Sequence, residues 1–148
     1  MPIKQEALEK LFSISLKARI LREWQKATRL QDQDFSEREL LTLEIIASLA
    51  PITEKGLCKI FGLSFSSVSE LTKKLEDAGF VETGKVRGQP LALTGKGKEK
   101  LQELKKTSAN RFEYLFDGFT DPMWDQLLAL FNKVEENAER HVQRRRTE

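Results

Sequence analysis

Four of the chain's eight glycines fall in one stretch, GKVRGQPLALTGKG, from Gly84 to Gly97. Glycines interleaved with lysine and arginine raise phosphate chemistry first. A Walker-type loop needs Gly, four residues, then Gly-Lys-Ser/Thr, so that backbone N–H groups converge on the phosphates and the hydroxyl reaches a metal. Here Pro90 stands five positions before Gly95, and Lys96 is followed by Gly97. The dinucleotide fingerprint fails as well, because Lys100 occupies its third glycine position. Catalytic alternatives have less to work with. Cys58 is the only cysteine and His141 the only histidine, which excludes a disulfide within the chain and a cysteine-rich zinc site. No base, nucleophile or metal cluster converges at a recognisable spacing, so neither catalysis nor a cofactor is expected.

The elements that flank the stretch must decide what phosphates it meets. A chain of 148 residues can bury one good core, and a single domain over 1–148 is expected. Lys and Arg number 25 against 23 Asp and Glu, so a basic footprint has to come from uneven distribution. Gln31 to Ile52 holds one Arg against five acids, whereas Lys85 to Lys106 holds seven bases against two acids, a local excess able to attract polyanions. The N-terminus lacks the apolar segment of a signal peptide, and the longest apolar run, LLTLEIIASLAPI, is too short to span a bilayer. A cytoplasmic protein with no membrane partner is the expectation.

Apolar residues from Ile3 to about Leu30 recur at helical spacing but cover more than one stripe, so that helix needs two partners. Ser36 with Glu39 forms a capping box opening a second helix that runs through Ala50 and ends before Pro51. Thr53 caps a short helix, EKGLCKIF; Gly62 punctuates its end, and Ser64 caps the next helix, FSSVSELTKKLEDAG. Its apolar positions Val68, Leu71, Leu75 and Ala78 form one narrow stripe, which predicts that the remaining positions face outward. FVETGKV and PLALT read as two short strands around a turn at Gly88. Thr94 caps a long helix to about Phe116. A last helix, with Asp121 as cap and Pro122 in its first turn, carries Trp124, Leu127, Leu128, Phe131, Val134 and Ala138 on one face and frays into QRRRTE.

This order is a mainly α winged helix-turn-helix with a two-stranded wing and extra helices at both ends. LCKIFGLSFSSVSELTKKLEDAGFVE carries the helix-turn-helix, and LTGKGKEKL is similar to a Leu-Thr-x-x-Gly start of the following long helix. On these residues the chain resembles the multiple-antibiotic-resistance regulator (MarR) family over nearly its whole length. The resemblance implies a homodimeric, DNA-binding transcription regulator, with a winged helix-turn-helix lobe over 36–100 and helical dimerisation regions over 3–30 and 101–146. Many members are released from DNA by a small ligand or an oxidant. The wing departs from the family pattern, being about four residues shorter and reading KVRGQP, without the Asp that orients the family's wing arginine. RGQP also resembles the RGRP hooks that enter the DNA minor groove.

The expected interface with double-stranded DNA comprises Ser64, Phe65, Ser66, Ser67, Ser69, Glu70, Lys73 and Lys74 on the recognition helix, with Lys85, Arg87 and Gln89 on the wing. Residues early in such a helix meet base edges and those further along pass the backbone, so the serines and Glu70 read bases while Lys73 and Lys74 hold phosphates. Glu70 either accepts from a cytosine amino group or orients a lysine. Lys96, Lys98 and Lys100 are further phosphate candidates or ordinary surface lysines. Leu8, Leu11, Phe12, Trp124, Leu127, Leu128 and Phe131 are the expected dimer contacts. Cys58 is read as a packed residue or a redox sensor, and Phe112, Tyr114, Phe116 and Phe119 as core and dimer contacts or a ligand cage. Tyr114 with Arg111 is the candidate site for a small-molecule effector. The rival reading is a winged-helix module for protein–protein assembly.

Overall fold

The computed structural model describes residues 4–28, 35–84, 86, 88–110 and 112–147, with side chains other than those of 25–28 and 147. Lys85, Arg87 and Arg111 therefore lie outside the described residues. Two compact units are present, Met1–Asp34 and Phe35–Glu148. The first contains one helix, α1 (Gln5–Thr28), on which Leu8, Leu11, Phe12, Ile14, Leu16, Ile20 and Trp24 are all exposed.

The second unit is built around α2 (Glu37–Leu49). The capping box forms as the sequence predicts: the Ser36 hydroxyl accepts from Glu39 N at 3.2 Å, and Ser36 N donates to Glu39 Oε2 at 2.9 Å. α3 (Glu54–Phe61) starts where Thr53 accepts from Gly56 N, and it ends at Gly62, whose φ of 64° is the left-handed conformation that favours glycine. α4 (Phe65–Asp77) follows after Leu63 and Ser64. Leu43, Leu57, Val68 and Leu75 are fully enclosed, each contributing about 1.5–3 kcal/mol by leaving water. Leu71 and Ala78, the other members of the α4 stripe, are half-buried.

The wing is shorter in regular structure than its sequence suggests. β1 (Val81–Glu82) pairs antiparallel with β2 (Ala92–Leu93) in the register Val81 to Leu93 and Glu82 to Ala92. The ladder is extended instead by a bridge outside the hairpin, where Leu91 N donates to Ile52 O at 2.7 Å. Burial of Ile52 and Leu91 makes that pairing part of the core.

α5 (Gly95–Asn110) is pinned at its start. The Thr94 hydroxyl donates to Gly79 O at 2.6 Å and accepts from Gly97 N at 2.9 Å, while Thr94 N donates to Phe80 O at 3.1 Å. Gly97 lies so close to this turn that a Cβ there would sit 2.0 Å from Phe80 O. The Leu-Thr-x-x-Gly pattern thus has a mechanical cause.

Three expectations need correction. α5 stops at Asn110 rather than near Phe116; residues Glu113–Phe116 form a 3₁₀ turn (η1), in which Leu115 N reaches Phe112 O at 2.9 Å. The rings of Phe116, Phe119 and Trp124 pack there with centroids 5.0–5.3 Å apart, and Gly118 at φ 81° turns the chain. α6 (Asp121–Thr147) begins with Asp121 inside the helix and, where fraying was expected, stays helical through Thr147. Pairs such as Lys133 with Glu136, and Gln143 with Glu139, support it, and Arg144 to Arg146 complement its C-terminal dipole. Gln143 also donates to Ser48 O at 3.0 Å, fastening the last helix to α2. On α4, finally, Thr72 does not face outward. It is 1% exposed, and its hydroxyl reaches Glu54 Oε1 on α3.

Candidate nucleic-acid interface

The turn Gly62-Leu63-Ser64 delivers α4 with its first residues on the surface. Ser64 Oγ accepts from Ser67 N at 3.2 Å and lies 3.1 Å from Ser66 Oγ and 2.9 Å from Ser67 Oγ. Three hydroxyls therefore cluster at the N-terminus of the helix, each able to donate or accept. Phe65, Ser66, Ser67 and Glu70 are exposed and Ser69 is half-buried. No acidic residue occupies the first turn, so nothing there opposes an approaching anion at the positive end of the helix dipole.

The lysines expected on phosphates divide into two groups. Lys73 and Lys98 are exposed, and no ion pair or hydrogen bond engages the side-chain ammonium of either among the described residues. Lys74 Nζ instead lies 2.6 Å from Glu39 Oε1. Lys96 donates to Ala78 O at 3.0 Å, closing the end of α4, and stands 5.2 Å from the Phe80 ring centroid. Lys100 is shared between Glu103 and the Phe35 ring.

Between α3, α4 and the wing runs a groove of about 800 Å³, lined among others by Lys55, Cys58, Phe65, Lys73, Val86 and Gln89. One side of it is braced by Thr83, which donates to Glu76 Oε1 at 2.7 Å and so joins the residue following β1 to α4. Gly88 has a φ of 87°, the turn conformation anticipated between the two wing segments, and Gln89 is exposed beside it. Lys85 and Arg87 fall outside the described residues. Cys58 is half-buried against the core.

The expected dimer contacts occupy two exposed faces, one on each unit. Leu8, Leu11 and Phe12 are exposed on α1, and on α6 Trp124, Leu128 and Phe131 are exposed while Leu127 is half-buried. Tyr114 is exposed in the 3₁₀ turn, and its suggested companion Arg111 is outside the described residues.

Three residues that position the interface escaped the sequence reading. Glu39 was visible as a capping residue, but its second oxygen holds a lysine 35 positions away. Glu54 and Thr72 meet across 18 positions, a pairing for which the sequence has no local signal.

Residues 35–83 match the MarR family model. The fold is similar to that of a MarR family protein from Bacillus stearothermophilus, at 14% identity and a TM-score of 0.63, covering 93% of this chain and 99% of that one. A MarR/EmrR family transcriptional regulator from Acinetobacter sp. ADP1 is similar at 20% identity and a TM-score of 0.62, with 95% and 98% covered. A transcriptional regulator from Thermotoga maritima gives 19% identity and a TM-score of 0.64, with 95% and 99% covered. No curated protein matches. The helix-turn-helix of α3 and α4 thus lies within the segment, residues 35–83, that matches the MarR family model, and the chain shares the fold of these solved structures along most of its length.

Proposed function

We propose that the protein is a sequence-specific DNA-binding transcriptional regulator, acting as a homodimer on a pseudo-palindromic operator. The observation that supports it most directly is the exposed, acid-free start of α4, where Ser64, Ser66 and Ser67 cluster and Lys73 stands unpaired nearby among the described residues. A helix end of this kind enters the major groove, with hydroxyls against base edges and the lysine on a phosphate. On the wing, Lys85, Arg87 and Gln89 contact the adjacent minor groove in this reading. The exposed apolar faces of α1 and α6 meet a second copy, and two-fold symmetry then sets half-sites about 34 Å apart.

Selection of bound sequences from random DNA, followed by titration of the selected site at several salt concentrations, tests the proposal. A recurrent inverted repeat and a linear fall of log affinity with log salt are expected. Failure to enrich any sequence refutes DNA reading and leaves the surface of α4 to a protein partner. Sedimentation at micromolar concentration tests the dimer, and a monomer there overturns it.

A further inference from the structure

Glu39 is a carboxylate that is almost fully enclosed, at 4% exposure, on the helix that packs beside the adjacent lysines Lys73 and Lys74 of α4. Both of its oxygens are used. Oε2 accepts from Ser36 N and closes the capping box of α2, while Oε1 accepts from Lys74 Nζ at 2.6 Å. The lysine end of this pair is on the outer part of α4, with its side chain 64% exposed, and the carboxylate end is 5% exposed. An enclosed carboxylate left without its cation is strongly unfavourable, so the pair resists separation. α4 is held a second time, from α3, by the Thr72 hydroxyl on Glu54.

We propose that Glu39 and Lys74 form a latch that fixes the angle of α4 against α2, so that Lys74 is a positioning residue and not a phosphate contact. This rests on the reading of α4 as a DNA-recognition helix and assigns different work to two adjacent lysines. Lys73, unpaired among the described residues, neutralises a phosphate and releases a counterion. Lys74 is already neutralised by Glu39 and releases none.

The salt dependence of binding separates these roles, because each phosphate neutralised contributes about 0.9 to the slope of log affinity against log salt. The test uses the full chain on its selected DNA site. Four proteins are compared with wild type: Lys73→Met, Lys74→Met, Glu39→Gln, and the double variant Glu39→Gln with Lys74→Met, which keeps the wild type's net charge and closes the cycle for coupling. Lys73→Met is expected to flatten the slope by about 0.9. The double variant is expected to keep the wild-type slope while binding more weakly at every salt concentration. Lys74→Met alone loses stability to denaturant, and Glu39→Gln in the same chain restores part of it. A double variant whose slope falls as far as that of Lys73→Met overturns the latch and makes Lys74 a phosphate contact. Independent effects of the two substitutions on unfolding, with no coupling, overturn it as well, and this measurement requires no DNA. A wild type that selects no DNA site overturns the proposed function and the positioning role together, whereas coupling in denaturant still reports the pair itself.

Discussion

Gly97→Ala isolates one contact from every other property of the wing and its supports. The substitution adds a single methyl group at a position with an ordinary helical backbone, so no conformational penalty accompanies it. That methyl carbon would stand 2.0 Å from Phe80 O, 2.9 Å from Phe80 C and 3.1 Å from Phe80 Cα. All three are backbone atoms that no rotamer change can move. Relief requires α5 and the start of β1 to part by about 1 Å, an overpacking strain worth about 1–3 kcal/mol. The same movement stretches the bond from Thr94 N to Phe80 O, now 3.1 Å, and forfeits about 1 kcal/mol. Alanine's helix preference returns about 1 kcal/mol, so the net loss is about 1–3 kcal/mol. For a domain with a urea slope of about 1–3 kcal/mol per molar, the unfolding midpoint should fall by about 1 M. Gly95→Ala is the control, since nothing lies within 4 Å of its Cβ position. It should leave the midpoint unchanged or raise it by an amount equivalent to about 0.4–1 kcal/mol. Equal midpoints for wild type and Gly97→Ala, or an equal loss in both alanine variants, would show that contact with Phe80 is not what excludes a side chain.

Three further outcomes are expected. Ser64→Ala removes the cap that accepts from Ser67 N and should cost about 1 kcal/mol in denaturant melts, with a larger effect on DNA affinity if the hydroxyl cluster meets bases. Thr72→Val conserves shape but takes the donor from Glu54, so unfolding should become easier by about 1–3 kcal/mol; a neutral result would make that hydrogen bond irrelevant to stability. Arg87→Ala, argued from its place in KVRGQP, should weaken DNA binding by about 1–3 kcal/mol, with the greater loss on sites with A·T-rich flanks, where a narrowed minor groove attracts arginine. Equal losses on A·T-rich and G·C-rich flanks reduce it to a phosphate contact.

Helix starts were legible in the sequence because their causes are local. Ser36, Thr53 and Ser64 each bond to a backbone group three residues ahead, and all three helices begin within a residue of the place those caps indicate. The αL ending at Gly62 and the Leu-Thr-x-x-Gly junction belong to the same class. What the sequence hid depends on contacts between distant segments. Thr72 reads as an outward polar residue until α3 brings Glu54 against it, and Lys74 is indistinguishable from Lys73 until α2 supplies Glu39. The long helix was drawn through to Phe116 because its residues are acceptable helix formers. The turn at 113–116 is set instead by rings of Phe116, Phe119 and Trp124 that find one another.

The division of α4 into inner and outer positions bears on how such a protein can change its target over evolutionary time. Val68, Thr72 and Leu75 are committed to the interior, and altering any of them disturbs the whole domain. Ser66, Ser67, Glu70 and Lys73 point to solvent. Mutations at these four sites can alter what the helix recognises while leaving the folding free energy within about 0.5 kcal/mol, the usual range for surface substitutions. Lineages can therefore drift between recognition sequences without crossing an unfolded intermediate. Lys74 is the exception on that face, because its exchange is vetoed from inside by Glu39. A library randomised at Ser66, Ser67, Glu70 and Lys73 would retain folded members at high frequency, and one that also included Lys74 would lose them.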